Sequence, residues 1–598
     1  MKTLFNIVGF GSYILIVFLN AMTDLGHKII LQNTIFKSFD GSELIILTAI
    51  INALILLPFI LLFLPAGYVS DKYPKTKVIK VASFVAIVIT LLILISYYNG
   101  WFWVAFGLTL VLSAQSAIYS PAKYGLIKEL AGQDKLAIAN GLVQSITIIS
   151  ILLGSVIYSI FFETLLDNSA SNPSDILMVI YPLGYLLVGA SILEFILSIK
   201  LSNQHKEMEI KDEITKPKLS SNIKLITQNR TIWLSIIGLS ILWGVSQVLL
   251  AIFGEYLKTN FNITNTIVAQ GMLTISGLGM VIGSLIAGKI SKNYIETGSI
   301  PLGALGVALS LLSISLSNNL YFTSIALFSF GFFAGIFLVP LNSMIQFSAK
   351  DEDLGKVLAG NNFIQNIVMF VFLIITALFG YLQLSSQILL YSISLIAFLG
   401  MGYTFIKLPQ SMIRYIIASI IGIKYSVKVD GLDNINPNKG TLLLGNHISF
   451  LDWAIIQIAY PSQIRFVMDR GYYEKWYLKA FFDFFRVIPI SQKGSKEALK
   501  EVTNALNSGD MVALFPEGAI SKDGEIGKFR RGFEIALRGV ESDIDIIPFY
   551  IDGLWGDRFS KAPIKIKGSK DVSIIFGEAM SKDSRADEVR ERVLRLVN

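Results

Sequence analysis

Cysteine is absent from the 598 residues, and histidine occurs only three times. The first absence excludes disulfides, thiolate metal centres and cysteine nucleophiles. No cluster of other ligating side chains stands at metal spacing, so no bound metal is expected. Neither a Gly-rich phosphate loop nor an adenylate-forming signature occurs, which excludes ATP-driven activation of a carboxylic acid. Charge is also scarce. Asp, Glu, Lys and Arg make up 16% of the chain against 53% hydrophobic residues. The mean hydropathy of +0.62 is too high for a soluble globular protein, so a membrane class follows. The net charge of +7 comes without any groove-reading or base-stacking motif, which excludes nucleic acid as a partner. Lys and Arg gather in short loops and in the last third, pointing to membrane lipids or an anionic substrate.

What the chain does have is long apolar runs, about 20 residues each, enough to cross a bilayer core of about 30 Å. Twelve are expected, at 6–34, 43–67, 78–98, 101–121, 137–162, 175–200, 231–256, 266–290, 300–316, 320–346, 357–382 and 387–406. The start, Met1 to Val17, has the length of a signal peptide. Its only basic residue is Lys2 and no small-residue cleavage site follows, so it is expected to be a retained first helix. Lys72, Lys75 and Lys77 lie between the second and third runs with Lys80 at the start of the third, and Lys123, Lys128 and Lys135 lie between the fourth and fifth. The connector 201–230 is lysine-rich, whereas 97–100 and 163–175 carry no Lys or Arg. The positive-inside rule then puts the N-terminus in the cytoplasm, and an even number of crossings returns the chain there before residue 407.

The membrane part, 1–406, divides at that connector into halves 1–200 and 231–406. Pro121 and the run Ala139, Asn140, Gly141 in the first half correspond to Pro340 and Gly360, Asn361, Asn362 in the second. Paired features of this kind suggest a duplicated transporter. Residues 407–423 contain an apolar run too short to span, expected to be an interfacial linker helix. Beyond 424 the pattern changes. Thr441–Leu444, Val487–Ile490, Met511–Phe515 and Ile544–Ile551 read as strands and Ser495–Asn507 as an amphipathic helix, giving an α/β domain over 424–598.

Gly67, Asp71 and Lys72, in a segment that runs on through Pro74 to Lys75, resemble the cytoplasmic loop signature of the major facilitator superfamily, with Pro74 where that family usually has glycine. The resemblance implies a twelve-helix all-α fold and a gating loop, with Gly67 allowing close helix packing and Asp71 pairing with loop cations or a helix end. Asn20 to Lys28 and Ser120 to Gly125 resemble the lysophospholipid transporter family within it. Asp24, His27 and Lys28 lie in the first run, Lys123 near the end of the fourth, and Glu255 at the end of the seventh. Ionisable groups at membrane depth cost a few kcal/mol each, so they face a cavity or a partner. Asp24 and Lys28 stand one helical turn apart, as either a neutralising pair or a site for a zwitterionic headgroup or coupling cation. Lys123 could equally snorkel. Glu194, within the sixth run, has no assigned role.

In the α/β domain, Asn446, His447, Ser449 and Asp452 follow a strand. The four-residue gap between His447 and Asp452 lets the carboxylate bond one imidazole nitrogen while the other takes a proton from an alcohol. Together with Phe515, Pro516, Glu517, Gly518, then Phe529, Arg530, Arg531, Gly532, and the proline blocks at Pro489 and Pro548, this set resembles the glycerolipid acyltransferases. The resemblance covers about 424–585. It implies His447 and Asp452 as the catalytic pair, with Asn446, Ser449, Glu517, Gly518, Lys528, Arg530 and Arg531 binding substrate. Where the family often has Thr-Arg-Ser after Glu-Gly, this chain has Ala519, Ile520 and Ser521, so Lys528, Arg530 and Arg531 are expected to supply the missing charge. Together the two resemblances imply a bifunctional protein of the bacterial inner membrane. It would flip lysophospholipid inward (lysophosphatidylethanolamine or lysophosphatidylglycerol) and acylate it. The acyl group would come from acyl carrier protein or coenzyme A thioester as co-substrate, with no bound cofactor. The alternatives are de novo acylation of 1-acylglycerol-3-phosphate with the membrane part as anchor, transport of another amphiphile, and a lipid sensor without activity.

Overall fold

The computed structural model describes residues 7–131, 136–167, 170–204, 219–291, 294–350, 353–491, 495–565 and 570–597. Lys2, Lys135 and residues 205–218 of the connector lie outside them. Two compact units emerge, one of residues 1–288 with 302–403, the other of 289–301 with 404–598. The second unit therefore takes in a short segment, 289–301, that the sequence places wholly inside the transporter part.

Among the described residues, twelve helices are long and apolar enough to cross a membrane, from Phe10–Ser38 to Ser386–Lys407. Several bounds differ from the sequence expectation. The second crossing helix stops at Leu61, three residues after Pro58, and a separate helix, Phe63–Lys72, follows. Pro65 cannot donate to the Leu61 carbonyl and its ring crowds that group, so the chain breaks at Leu62. Gly67, Asp71 and Lys72 lie in the helix that follows and not in a loop. The fourth helix continues to Ala131, so Lys123 lies inside it. The sixth run is split into Pro173–Ile180 and Pro182–Gln204, again at a proline. Helix Arg230–Phe261 runs past Glu255 by more than a turn, so Glu255 does not end it. Pro121 and Pro340 each lie within the fourth helix of their half, at similar distances from its start.

Helices Thr266–Ile290 and Leu320–Ser348 meet through glycines. A Cβ on Gly331 would lie 1.8 Å from the Ser276 carbonyl oxygen, and one on Gly283 would lie 2.0 Å from that of Phe332. Gly279 and Gly335 complete two small-x3-small pairs that bring the backbones together, the usual basis of helix contact where lipid gives no hydrophobic drive. The halves pack along helices Gly41–Leu61 and Leu354–Tyr381, and polar contacts tie them at the end remote from Lys72. There, Lys258 bonds the Phe39 carbonyl at 2.9 Å and pairs with Asp40 at 2.7 Å, and Glu163 pairs with Lys37 at 2.9 Å and accepts from the Thr266 amide.

The second unit carries a seven-stranded sheet. Its strands are β1 (Tyr425–Asp430), β2 (Gly440–Gly445), β3 (Ile464–Asp469), β4 (Ile488–Ile490), β5 (Met511–Leu514), β6 (Ile544–Asp552) and β7 (Lys570–Phe576), in the order β1-β7-β6-β2-β5-β3-β4. All neighbours are parallel except β6 and β7. β1, β3 and β7 are additional to the expected strands. β2 is buried along its whole length, as a parallel strand covered on both faces must be. Apolar clusters fill both faces, one around Leu443, Ile455 and Phe549, the other around Leu444, Phe533 and Val589. Helix Pro409–Gly422 precedes β1.

Candidate active site and transport cavity

β2 and β5 are adjacent parallel strands in register from Thr441 opposite Met511 to Leu444 opposite Leu514. Their carboxyl ends therefore deliver the His447 and Glu517 loops to the same edge of the sheet, where open α/β sheets form their sites. The Asp452 side chain, fully buried at the start of helix Asp452–Ala459, uses one oxygen, Oδ2, to accept three hydrogen bonds. They come from His447 Nδ1 at 2.7 Å, the Ile448 amide at 2.7 Å and the Ser449 amide at 2.9 Å. Burial pushes this carboxyl above the usual carboxylate range, against the opposing pull of those bonds. The His447 ring stacks on Phe515, with centroids 4.1 Å apart and planes at 16°. With Nδ1 held by Asp452 and one face covered, the ring is one-fifth exposed, and Nε2 is the nitrogen left to meet a substrate hydroxyl.

Several residues assigned to substrate binding turn out to build this site rather than face it. Asn446 is buried, and its amide group clasps the β6 backbone, donating to the Ile551 carbonyl and accepting from the Ile551 amide, each at 2.8 Å. Ser449 is fully buried, and its hydroxyl accepts from the Leu451 amide at 3.2 Å. Glu517 spends both oxygens on backbone, accepting from the His447 amide at 3.0 Å and the Gly527 amide at 3.2 Å. Burial raises its carboxyl as well. Asn446 and Ser449 are buried and Glu517 half-buried, and polar groups withdrawn from water in a tight loop are satisfied by the nearest donors and acceptors, here main chain.

Gly518 has φ of +74°, and a Cβ there would lie 2.8 Å from the Arg530 guanidinium. The left-handed backbone is what favours glycine here, since the exposed Arg530 side chain could shift aside. Phe529, buried, anchors the basic element, and the Arg530 amide donates to the Pro516 carbonyl at 2.8 Å. The two arginines diverge. Arg530 lies over Gly518 beside the site, whereas exposed Arg531 pairs at 3.9 Å with exposed Asp587. Lys528 is exposed, with no ion pair among the described residues. Ile520, in place of the family's arginine, is buried, and the next amide, Ser521, donates to the His447 carbonyl at 2.7 Å. Arg590 was missed by sequence reasoning. From the C-terminal helix Ala586–Arg595 it donates to the carbonyls of Ile526 and Gly527 and so fixes the loop that Glu517 holds.

In the first unit, Asp24 and Lys28 do not pair. Asp24 accepts from the Ser116 hydroxyl and its other oxygen has no partner, while Lys28 has no ion pair or hydrogen bond among the described residues. One turn of spacing permits a pair, but a serine on a neighbouring helix offers the carboxylate a shorter contact. His27 is fully buried with both nitrogens engaged, Nδ1 with the Tyr97 hydroxyl at 2.8 Å and Nε2 with that of Thr109 at 3.1 Å, which is helix packing. Buried Glu255 accepts from Thr259 at 2.8 Å within its own helix. The Lys123 ammonium lies over the Tyr124 ring at 4.7 Å. A Cβ on Gly67 would meet nothing within 4 Å, so no close packing depends on it. Asp71 pairs with no loop cation among the described residues. Lys75 instead pairs with Glu129 of the fourth helix, and Lys72 lies over the rings of Tyr68 and Tyr73.

Glu194 belongs to the Asp24 network. It is fully buried and accepts from Ser83 at 2.8 Å, and its second oxygen is unpartnered. Ser116 and Gln115 stand beside Asp24, and the Gln115 amide donates to the carbonyl of Ala82, next to Ser83. The two carboxylates thus end two polar sets that meet at the adjacent residues Ala82 and Ser83. Gln115 also lines a cavity of about 320 Å³ whose other walls include Val69, Val78, Val81 and Val85. Serines and glutamines inside helices carry no pattern of their own, so only the fold reveals these contacts.

Residues 4–373 match the family model of the Major Facilitator Superfamily, and 426–552 match that of the family described as Acyltransferase. The lysophospholipid transporter of Photorhabdus laumondii is 26% identical over 327 residues, covering 54% of this chain and 77% of that protein. That of an Enterobacter species is 28% identical, covering 56% and 79%. A POT family transporter solved with 5-aminolevulinic acid overlaps with a TM-score of 0.51 at 12% identity, covering 67% of this chain and 96% of its own, a likeness of fold alone.

Proposed function

Since the chain belongs to the major facilitator superfamily and continues into an acyltransferase domain, we propose that it brings lysophospholipid across the membrane and re-acylates it. The observation that carries the chemistry is the buried Asp452 carboxylate fixing His447 at the carboxyl edge of β2 and β5. The lipid class is supported by the likeness of the first unit to proteins named lysophospholipid transporters. His447 Nε2 takes the proton of the lysolipid hydroxyl as its oxygen attacks the carbonyl of an acyl thioester. Collapse of the tetrahedral intermediate forms the ester and breaks the carbon–sulfur bond. The imidazolium, held by Asp452, then returns the proton to the departing thiolate. The donor is a coenzyme A or acyl-carrier-protein thioester. On the transport side, the apolar cavity beside Gln115 suits an acyl chain, and the network of Asp24, Ser116 and Glu194 suits a cationic headgroup or coupling cation. Fusion keeps the delivered lysolipid at high effective concentration near the second site.

The test is reconstitution in sealed vesicles with labelled lysophosphatidylethanolamine in the outer leaflet and acyl-coenzyme A enclosed. Labelled diacyl lipid should accumulate inside, and protease added outside should spare residues 424–598, since the lysine distribution puts that domain in the cytoplasm. Acylation only when lysolipid is supplied on the donor side would leave the membrane part as an anchor. Cleavage of the domain by protease added outside intact cells, with a cytoplasmic control protein protected, would reverse the orientation.

Acceptor recognition has its own test. Both arginines are exposed, but Arg530 lies against Gly518, next to Glu517, while Arg531 pairs with Asp587, and a charge-assisted hydrogen bond contributes about 1.5–3 kcal/mol. Arg530→Gln should raise the apparent KM for lysophospholipid about tenfold with little change in that for the thioester. Arg531→Gln should stay within about twofold of wild type. The opposite order would move the phosphate contact to Arg531.

A further inference from the structure

The segment 289–301 joins helix Thr266–Ile290 to helix Ser299–Leu316, yet it belongs to the same compact unit as the acyltransferase domain. Its contacts there are specific and mostly buried. Glu296 pairs with Arg414, with side-chain exposures of 4% and 3%, and the same Glu296 oxygen accepts from the Gly298 amide at 2.8 Å. Arg414 also bonds the Tyr294 hydroxyl and stacks over its ring at 5.0 Å. At Gly298 a Cβ would lie 2.1 Å from the Ser411 carbonyl oxygen, so the segment lies directly on helix Pro409–Gly422. The Tyr294 hydroxyl then donates at 2.7 Å to the carbonyl of Ile458.

Ile458 lies near the end of the eight-residue helix whose first residue is Asp452. Its carbonyl is one of the last four, which have no partner inside the helix and need one from outside. Arg414 lines the small cavity beneath that helix together with Trp453, Gln457 and Ile458. A helix of eight residues is about 12 Å long and behaves as a short rigid rod. A bond at its carboxyl end therefore sets the position of Asp452 at the other, and Asp452 sets the His447 ring.

We infer that 294–301 is a positioning strap for acyl transfer, in which Tyr294 and Glu296 hold the Asp452 helix in register. The inference rests on the reading of His447 and Asp452 as the catalytic pair.

The test uses the full chain in detergent, with lysophosphatidylethanolamine and an acyl-coenzyme A as substrates, well below the melting temperature of each variant. Tyr294→Phe keeps the ring and removes only the hydroxyl. It should lower kcat about three- to tenfold, the scale of one hydrogen bond, with both KM values unchanged, and Glu296→Gln should act likewise. The deciding measurement is a double-mutant cycle. In an Asp452→Asn background, Tyr294→Phe should reduce kcat by less than twofold, because the register it controls acts through the Asp452 carboxylate. Equal fold losses in both backgrounds would make the strap a structural contact only and overturn the inference. So would a kcat within twofold of wild type for Tyr294→Phe and Glu296→Gln alongside an inactive His447→Ala. An active His447→Ala would instead overturn the catalytic reading itself, and the strap with it.

Discussion

His447→Ala should lower kcat/KM for acyl transfer by about 10²–10⁴-fold, the contribution of a positioned general base. The remaining geometry gives reason to expect the loss to be specific. Asp452 still accepts the amides of Ile448 and Ser449, and Glu517 still bonds the backbone amide of residue 447, which the substitution keeps. The loop should therefore stay folded around a missing ring, and lysolipid uptake in vesicles should persist. Asp452→Asn should act in the same direction but more mildly, about 10–10²-fold. An amide oxygen can accept the same bonds, but it brings no charge to stabilise the imidazolium. Measured turnover within a few-fold of wild type for His447→Ala would remove the general-base assignment.

The transporter half should prove equally sensitive at one residue that touches no substrate. Gly331→Leu should abolish recovery of folded protein and reduce uptake to background. Even a single added carbon there lies 1.8 Å from the Ser276 carbonyl oxygen and 3.0 Å from the Met280 amide nitrogen. Overpacking a core typically costs about 1–3 kcal/mol when side chains can yield. Here the obstacle is the backbone of helix Thr266–Ile290, and helix separation is the only relief. Gly271, on that same helix, is the control, since a Cβ there meets nothing within 4 Å and Gly271→Leu should be recovered as a folded, transporting protein. A monodisperse, active Gly331→Leu would show that the two helices do not approach as closely as described.

Comparing these sites shows what the amino-acid order could and could not determine. Twelve apolar runs, the shift to α/β patterning after 424, and the grouping of His447, Asp452, Glu517 and Arg530 are all properties of spacing and composition, which need no neighbours to be read. Spacing also brought His447 and Asp452 within reach of each other, since that contact is local. It could not say which polar side chains face a substrate. Asn446 stands beside His447 and Glu517 in the second motif, yet their partners, Ile551 and the His447 and Gly527 amides, are far off in sequence and set by how the chain folds. Nor could it separate Arg530 from Arg531, adjacent in the chain but divergent in space. In the membrane part the one-turn spacing of Asp24 and Lys28 allowed an ion pair, but a Ser116 hydroxyl 92 residues away took the carboxylate. Local physics fixes what a segment is, apolar, strand-forming or chemically equipped. Long-range packing decides which of its polar atoms are consumed in holding the fold and which are left to act.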